Sequence, residues 1–502
     1  MSARLTQGEL EAHLWGAAVL LRGLIDAADN KQYIFPLLFF KRLSDVWDED
    51  YQAALKETGD REYAQATAND RFKIPSGAHW RDVRNATHDV GRALLKAFQA
   101  IETTNPERLR GIFGSASWTD KAQMPDATIK NLIEHFSQHT LSLAAVPEDE
   151  LGNGYEYLIK QFADDSGHTA QEFYTNRTLV HLMAQMLEPK ARETIYDPTC
   201  GTGGMLISCL AEVTRQGGDP RTIGLYGQEI ISITAAIARM NLVLHGVEDF
   251  HIAIGNTLSI PAFVEGDRLK TFSIVLANPP YSIKKWNRDA WQNDPWGRNF
   301  LGTPTQGRAD YAFFQHILKS MDPRTGRCAI LFPHGVLFRN EEMDMRRNLI
   351  QADLLECVLG LGPNLFYNSP MEACILVCRT RKPASRRGRV LFIDALQDVA
   401  RERAVSYLKP EHQKRILNAY RAFKNVDGFA TVATTDEILA RDGNLSIPRY
   451  VSRDTAATGS VGEKDLKAAW KVLVSDGEKF WTEMDMLAIE LDALMDRADD
   501  DI

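Results

Sequence analysis

Asp197-Pro198-Thr199-Cys200-Gly201-Thr202-Gly203-Gly204 stands between a short β-forming run at 194–197 and an apolar helical stretch that opens at Met205. Glycines in this place let the chain turn sharply and let a ligand approach the backbone without meeting Cβ atoms. The first turn of the following helix offers N–H groups with no partner of their own. A strand, glycine turn and helix in that order mark one unit of an α/β domain whose ligand sits across the strand ends, at the point where the sheet reverses its direction of growth. The run is not GxGxxG, and no GxxxxGKS or GxxxxGKT phosphate loop occurs, so neither a dinucleotide site nor an ATP-driven motor is indicated.

Outward from the turn, β-rich runs at 194–197, 224–228, 251–254, 273–277, 328–332, 356–361 and 373–378 alternate with helical stretches. This alternation predicts a doubly wound α/β domain, a mostly parallel sheet with helices on both faces. Residues 380–389 are rich in Lys, Arg and Pro, and 390–393 reads as one more strand or equally as linker or loop. Toward the N-terminus Leu14, Ala18, Leu21 and Ile25 recur at helical spacing, which predicts a helical domain over 1–145 ahead of a catalytic domain over 146–450. Beyond Ser460 the chain turns acidic, with Leu466, Trp470, Leu473, Phe480, Met484 and Leu491 on one stripe. A helical C-terminal segment, 451–502, is expected, packed on its own domain or docking a partner.

Two acids frame the glycine turn. Asp197 leads it and can accept a hydrogen bond from an ammonium group, while Glu229 closes the next strand, where a carboxylate can hold both hydroxyls of a ribose. The pair suits an amino acid joined to a nucleoside better than a dinucleotide. Asn278-Pro279-Pro280-Tyr281 then ends the apolar run at 273–277. Its prolines lock φ and carry no N–H, which leaves carbonyl oxygens for a ligand. The Asn278 side-chain oxygen and the Pro279 carbonyl are two acceptors for the two N–H bonds of an aromatic amine. Such a pair draws the delocalised lone pair back onto nitrogen, ready for a sulfonium methyl. An amide does this without setting a full negative charge beside the cation, and Tyr281 offers a flat face for a base turned out of a duplex.

Composition bounds the rest. The 502 residues exceed one usual core, so two or three domains are expected, and 44% hydrophobic with 25% charged residues is ordinary for a folded chain. The longest early apolar run, 33–40, carries a proline and is far short of the ~20 residues of a membrane span. Glu9 and Glu11 stand where a secretory signal would be basic, so a cytoplasmic protein is expected. Cysteines at 200, 209, 328, 357, 374 and 378 show no paired metal-ligand spacing; buried thiols and no metal are expected. A net charge of −9 argues that any nucleic acid is met locally or together with a partner.

These residues together resemble the modification subunit of type I restriction-modification systems, within the gamma group of adenine-N6 DNA methyltransferases. Leu14-Trp15-Gly16-Ala17-Ala18 and 37–45, Leu-Leu-Phe-Phe-Lys-Arg-Leu-Ser-Asp, are similar to that family's helical N-terminal domain. Phe173-Tyr174-Thr175 precedes the glycine turn where the family's order places contacts to the cofactor's methionine end, and 444–450, Asn-Leu-Ser-Ile-Pro-Arg-Tyr, resembles its late signature. The resemblance implies a Rossmann-like methyltransferase sheet using S-adenosylmethionine. Cofactor contacts are then expected from Phe173, Tyr174, Thr175, Asp197, Thr199, Gly201, Thr202, Gly203, Glu229, Asn256, Thr257 and Asn278, and catalysis from Asn278, Pro279, Pro280 and Tyr281, with Phe366 of Asn364-Leu365-Phe366-Tyr367 as a second base-stacking aromatic. It also implies the partners: DNA, a specificity subunit that reads the sequence, a second copy of this chain, and a restriction subunit. Two positions depart from the pattern. Asn176 replaces a proline, which leaves that loop's rigidity open, and Asn256 replaces an acid, so an amide oxygen would have to accept the cofactor's adenine amino group.

The long connection 282–308 holds Lys284, Lys285, Arg288, Arg298 and Arg308, with Trp286, Trp291 and Trp296 interleaved. It reads as a DNA-backbone contact or as a solvated flap. From the residues alone an RNA or glutamine amino-group methyltransferase, a cytosine-N4 enzyme and a catalytically silent scaffold also stay open. Cytosine-C5 chemistry, which needs a Pro-Cys nucleophile, does not.

Overall fold

The computed structural model describes residues 5–165, 175–365, 372–402 and 405–452. Its main sheet has nine strands: β1 (Thr194–Asp197), β2 (Gly224–Glu229), β3 (Phe250–Ile254), β4 (Ile274–Ala277), β5 (Arg327–Pro333), β6 (Leu355–Leu361), β7 (Ala373–Arg379), β8 (Arg389–Ala395) and β9 (Ala430–Thr434). Their spatial order is β9-β8-β6-β7-β5-β4-β1-β2-β3. Strands β1 to β5 pair in parallel, β7 is wedged antiparallel between β5 and β6, and β9 closes one edge antiparallel to β8. The chain steps from β1 toward β3 on one side and through β4 to β5 on the other. The crevice at the carboxyl ends of β1 and β4 is therefore the switch point where such sheets bind ligands.

The strands are continuous apolar runs because both faces are covered. In β4, Ile274 and Leu276 enter a core with helices Arg177–Leu187, Gly204–Arg215 and Pro410–Ala422, while Val275 and Ala277 enter the opposite core with helix Asp310–Lys319. The seven runs read from the sequence lie within one or two residues of β1 to β7, and the ambiguous 390–393 lies inside β8. Strand β9 and the reversed direction of β7 were not foreseen. Periodicity shows that a strand exists but not which way it runs.

The N-terminal region is helical. Helix Gln7–Val19 starts on a Thr6–Glu9 capping box and stops earlier than the apolar spacing through Ile25 suggests. Beyond it Leu21 N–H bonds Ala18 O at 3.1 Å and Leu24 N–H bonds Leu21 O at 3.1 Å, so a turn keeps Leu21 buried after the helix has ended. The apolar run with its proline lies inside helix Ala27–Thr58, hydrophobic all round because it is the centre of this core. The same core takes in Leu151, Tyr155 and Leu158 of helix Glu148–Asp165 and Ala236, Ile237 and Met240 of helix Ser232–Leu244. Tyr155 Oη donates to Ile237 O at 3.2 Å, which ties the helical region to the helix that follows β2. All six cysteines are buried and in no disulfide. Among the described residues no helix is long and apolar enough to cross a membrane. The C-terminal stripe expected after Ser460 lies outside the described residues.

Candidate active site

A cavity of about 660 Å³ opens at the switch point, within the range of about 300–1,000 Å³ usual for small-molecule sites. The carboxyl ends of β1, β2, β3 and β4 each deliver a segment to it: Asp197 to Thr202, Glu229 with Ile230 and Ile231, Gly255 to Thr257, and Asn278 to Ile283. Thr175 closes another wall. Phe173, Tyr174 and Phe366 lie outside the described residues.

The glycine turn has the backbone its composition demands. Gly201 and Gly203 have φ of 52° and 82°, the left-handed region, and a Cβ built on Gly201 would meet nothing within 4 Å, so this edge of the turn is open to the cavity. Gly203 does not line the cavity; it starts helix Gly204–Arg215 and packs closely on Ala238. Glu229 spans the turn, accepting from Gly201 N–H at 3.1 Å and Ile231 N–H at 2.8 Å. Asp197 accepts from Thr199 N–H at 2.9 Å. Burial pushes the Asp197 carboxyl up to about 7, with the nearby Glu229 carboxylate adding to the rise and the Thr199 bonds opposing it. Two buried carboxylates beside a bare helix N-terminus fit an organic ligand carrying an ammonium and hydroxyls.

Thr257 gives its hydroxyl to Pro198 O at 2.6 Å and so braces the start of the turn. The Asn256 oxygen accepts from Leu258 N–H at 3.0 Å and Ser259 N–H at 3.1 Å. Both of its lone pairs are engaged, which leaves the amide nitrogen as the end available to a ligand. Asn176 has an anchor of its own. Its oxygen caps helix Arg177–Leu187 through Thr178 N–H at 3.0 Å, and its nitrogen donates to Ser406 O at 2.8 Å.

At the other end of the cavity Asn278 is half-buried and held on both sides. Its nitrogen donates to Thr175 Oγ1 at 2.9 Å, which turns the amide oxygen the other way, where it accepts from the Tyr281 hydroxyl. Pro279 is buried and Pro280 exposed. Sequence reasoning missed Glu156 and Arg177, which pair with each other and line the cavity, and the apolar wall of Ile230, Ile231 and Phe313. Arg177 lies two residues beyond Thr175 and could have been suspected. Glu156 comes from helix Glu148–Asp165 of the helical core, with no local signal.

The segment 282–308 departs from a free flap and from a row of DNA-facing cations. Trp286 and Trp291 are buried in a small core with Leu258, Ala309, Ala312 and Phe313. Arg298 is 1% exposed, paired with Asp294 at 2.6 Å, bonded to the carbonyls of Thr257 and Leu258 at 3.0 and 2.9 Å, and set against the rings of Trp291 and Trp296. It pins the segment to the cavity wall and faces no solvent. Arg288 donates to Pro304 O at 2.9 Å, whereas Lys284 and Lys285 are exposed.

The chain matches two family models, N-6 DNA Methylase over residues 146–458 and the HsdM N-terminal domain over residues 10–136. It is 31% identical to the type I restriction enzyme MjaVIII methylase subunit of Methanocaldococcus jannaschii, over 86% of this chain and 76% of that protein. To the HindI methylase subunit of Haemophilus influenzae it is 31% identical over 72% of this chain and 83% of the relative. A crystal structure of the type I restriction-modification system methyltransferase subunit from Streptococcus thermophilus superposes with a TM-score of 0.79 at 29% identity, covering 89% of this chain and 100% of that one. Among the amino-group substrates that the residues alone left open, this decides for adenine N6 in DNA: the chain belongs to the N-6 DNA methylase family, with the type I restriction methylase subunits.

Proposed function

We propose that the chain methylates N6 of adenine in DNA with S-adenosylmethionine, as the modification subunit of a type I restriction-modification complex. One observation carries the reading: the glycine turn with its two acids and Asn278 with its loop line a single cavity. The cofactor, when bound, supplies an electrophilic sulfonium methyl. Asp197 would take its ammonium, Glu229 its ribose hydroxyls, Asn256 its adenine through the amide nitrogen, and Gly201 and Thr202 would let it lie against the backbone. Ile230, 59% exposed although apolar, suits a purine face. By the family resemblance Phe173 and Tyr174 would serve the methionine end.

The target adenine must leave the duplex to reach this depth. Tyr281, and Phe366 by the family resemblance, would stack it. Asn278 Oδ1 and Pro279 O would accept its two N–H bonds and so return the nitrogen lone pair to a tetrahedral orbital. Thr175, by holding the Asn278 nitrogen, decides which end of that amide meets the base. The relatives are by name subunits of restriction enzymes, which supports a sequence-reading specificity subunit, a second copy of this chain and a restriction subunit as partners.

Paired variants test the reading. Asn278→Ala should lower transfer by about 10²- to 10³-fold with cofactor affinity nearly intact. Gly201→Val, which sets a branched side chain into the cavity, should abolish cofactor binding. Equal loss of both properties in Asn278→Ala would show its role to be misassigned.

A further inference from the structure

Ser282 follows directly on Tyr281 and has φ of 54°, a left-handed conformation that a residue with a Cβ rarely holds. Its N–H donates to Asp310 Oδ1 at 2.8 Å. Asp310 opens helix Asp310–Lys319 and is 0% exposed. Its second oxygen accepts from Arg339 Nη1 at 2.8 Å, and Arg339 also reaches Glu342 Oε1 at 3.3 Å. The guanidinium lies across Gly335, where a Cβ would come within 2.4 Å of Arg339 Nε, so the glycine makes room for it. Arg346, buried as well, donates to Arg339 O at 2.8 Å. A largely buried chain of charges thus runs from the turn after β5 to the backbone amide that follows the Asn278–Tyr281 loop.

Stability is a weak reason for such a chain, because desolvating an ion pair commonly costs more than the pair returns. Capping is no better a reason: the Asp310 oxygens accept from Ser282 and Arg339, and helix Asp310–Lys319 starts without a side-chain cap bond. What the chain does secure is the position of one strained residue beside the reacting groups. We propose that Asp310 is a positioning residue for methyl transfer: by holding Ser282 N–H, with Arg339 orienting its carboxylate, it sets the turn that aims Asn278, Pro279 and Tyr281 into the cavity.

The test uses the assembled methylating complex and its cognate duplex. Asp310→Ala should lower kcat by roughly a hundredfold, as misplacing a reacting group by an ångström does, with the cofactor Kd changed less than about twofold. Asp310→Asn keeps one oxygen that can accept from Ser282 N–H but sets its NH2 against the Arg339 guanidinium, so it should recover part of kcat. Asp310→Ser is suited to a helix start but too short to reach Ser282; it should behave like the alanine variant and replaces it if that one does not fold. The proposal is overturned if Asp310→Ala keeps the parent kcat, if Asp310→Asn is no better than alanine, or if cofactor affinity falls in step with kcat. It rests on reading Asn278–Tyr281 as the catalytic loop, so Asn278→Ala runs alongside. Normal transfer by Asn278→Ala would fell that reading; an inactive Asn278→Ala beside a fully active Asp310→Ala would fell only the role of Asp310.

Discussion

Tyr281→Phe removes a single oxygen and separates two roles of one side chain. In the structure the Tyr281 hydroxyl donates to Asn278 Oδ1, the acceptor that the target amine needs, while Thr175 occupies the other end of the amide. Burial raises the phenol well above its usual value, so it remains a proton donor at any working pH. Tyr281 fills one of the two lone pairs of that oxygen, and an adenine N–H that enters along the same one displaces it. A net hydrogen bond of this kind is worth about 1 kcal/mol, or about fivefold in an equilibrium constant. Phenylalanine keeps the stacking face and lifts the competition, so the variant complex should bind duplex containing the target adenine about fivefold more tightly. Tyr281→Ala, which gives up the ring, should instead weaken binding by about 1–3 kcal/mol. The measurement is a titration of labelled duplex into the complex, with initial rates of methyl transfer recorded on the same samples. Unchanged or weaker binding by Tyr281→Phe would refute the argument and assign the hydroxyl to the bound state.

Asp197 predicts a pH dependence. Its carboxyl, raised by burial to about 7, must be ionised to meet an ammonium, so cofactor affinity should be lost as pH falls through about 7 and level off above it. Without cofactor the linkage has the opposite sense. The folded carboxyl holds its proton more tightly than the unfolded value of 3.8 allows, so the Tm of the ligand-free chain should decline as pH rises from about 4 to about 7. Asp197→Asn should flatten both curves, and an unchanged binding profile in that variant would show that another group titrates. Within 282–308 the cations divide by burial. Arg298→Met should cost about 3–5 kcal/mol, because Asp294 is left buried without its partner, and should appear as a lower Tm. Lys284→Ala with Lys285→Ala should leave Tm alone and reduce the slope of log K against log salt by up to about 2; a slope equal to the parent's would remove them from the DNA contact.

Much of this site was legible before any coordinates. Strand ends in a parallel sheet converge on one crevice, so reading strands at 194–197, 224–228, 251–254 and 273–277 already gathers Asp197, Glu229, Asn256 and Asn278 at one place. Each of those readings rests on neighbours within a few positions: alternating burial, glycine in a turn, proline without an N–H. Side-chain commitments spanning the fold carry no such trace. Thr175 meets Asn278 across 103 positions and Ser282 meets Asp310 across 28, and Glu156 reaches the cavity from a helix of another core. Arg298 makes the point most sharply. As a letter it is one more cation in a basic stretch, and only folding shows it sealed between two tryptophans and a carboxylate. Which local elements form, and which chemistry their ends carry, can be read along the chain because both depend on short-range periodicity and residue type. Strand direction in β7, the antiparallel edge strand β9, the orientation of the Asn278 amide and the burial of each charge follow from tertiary packing, which sets distances between residues far apart along the chain.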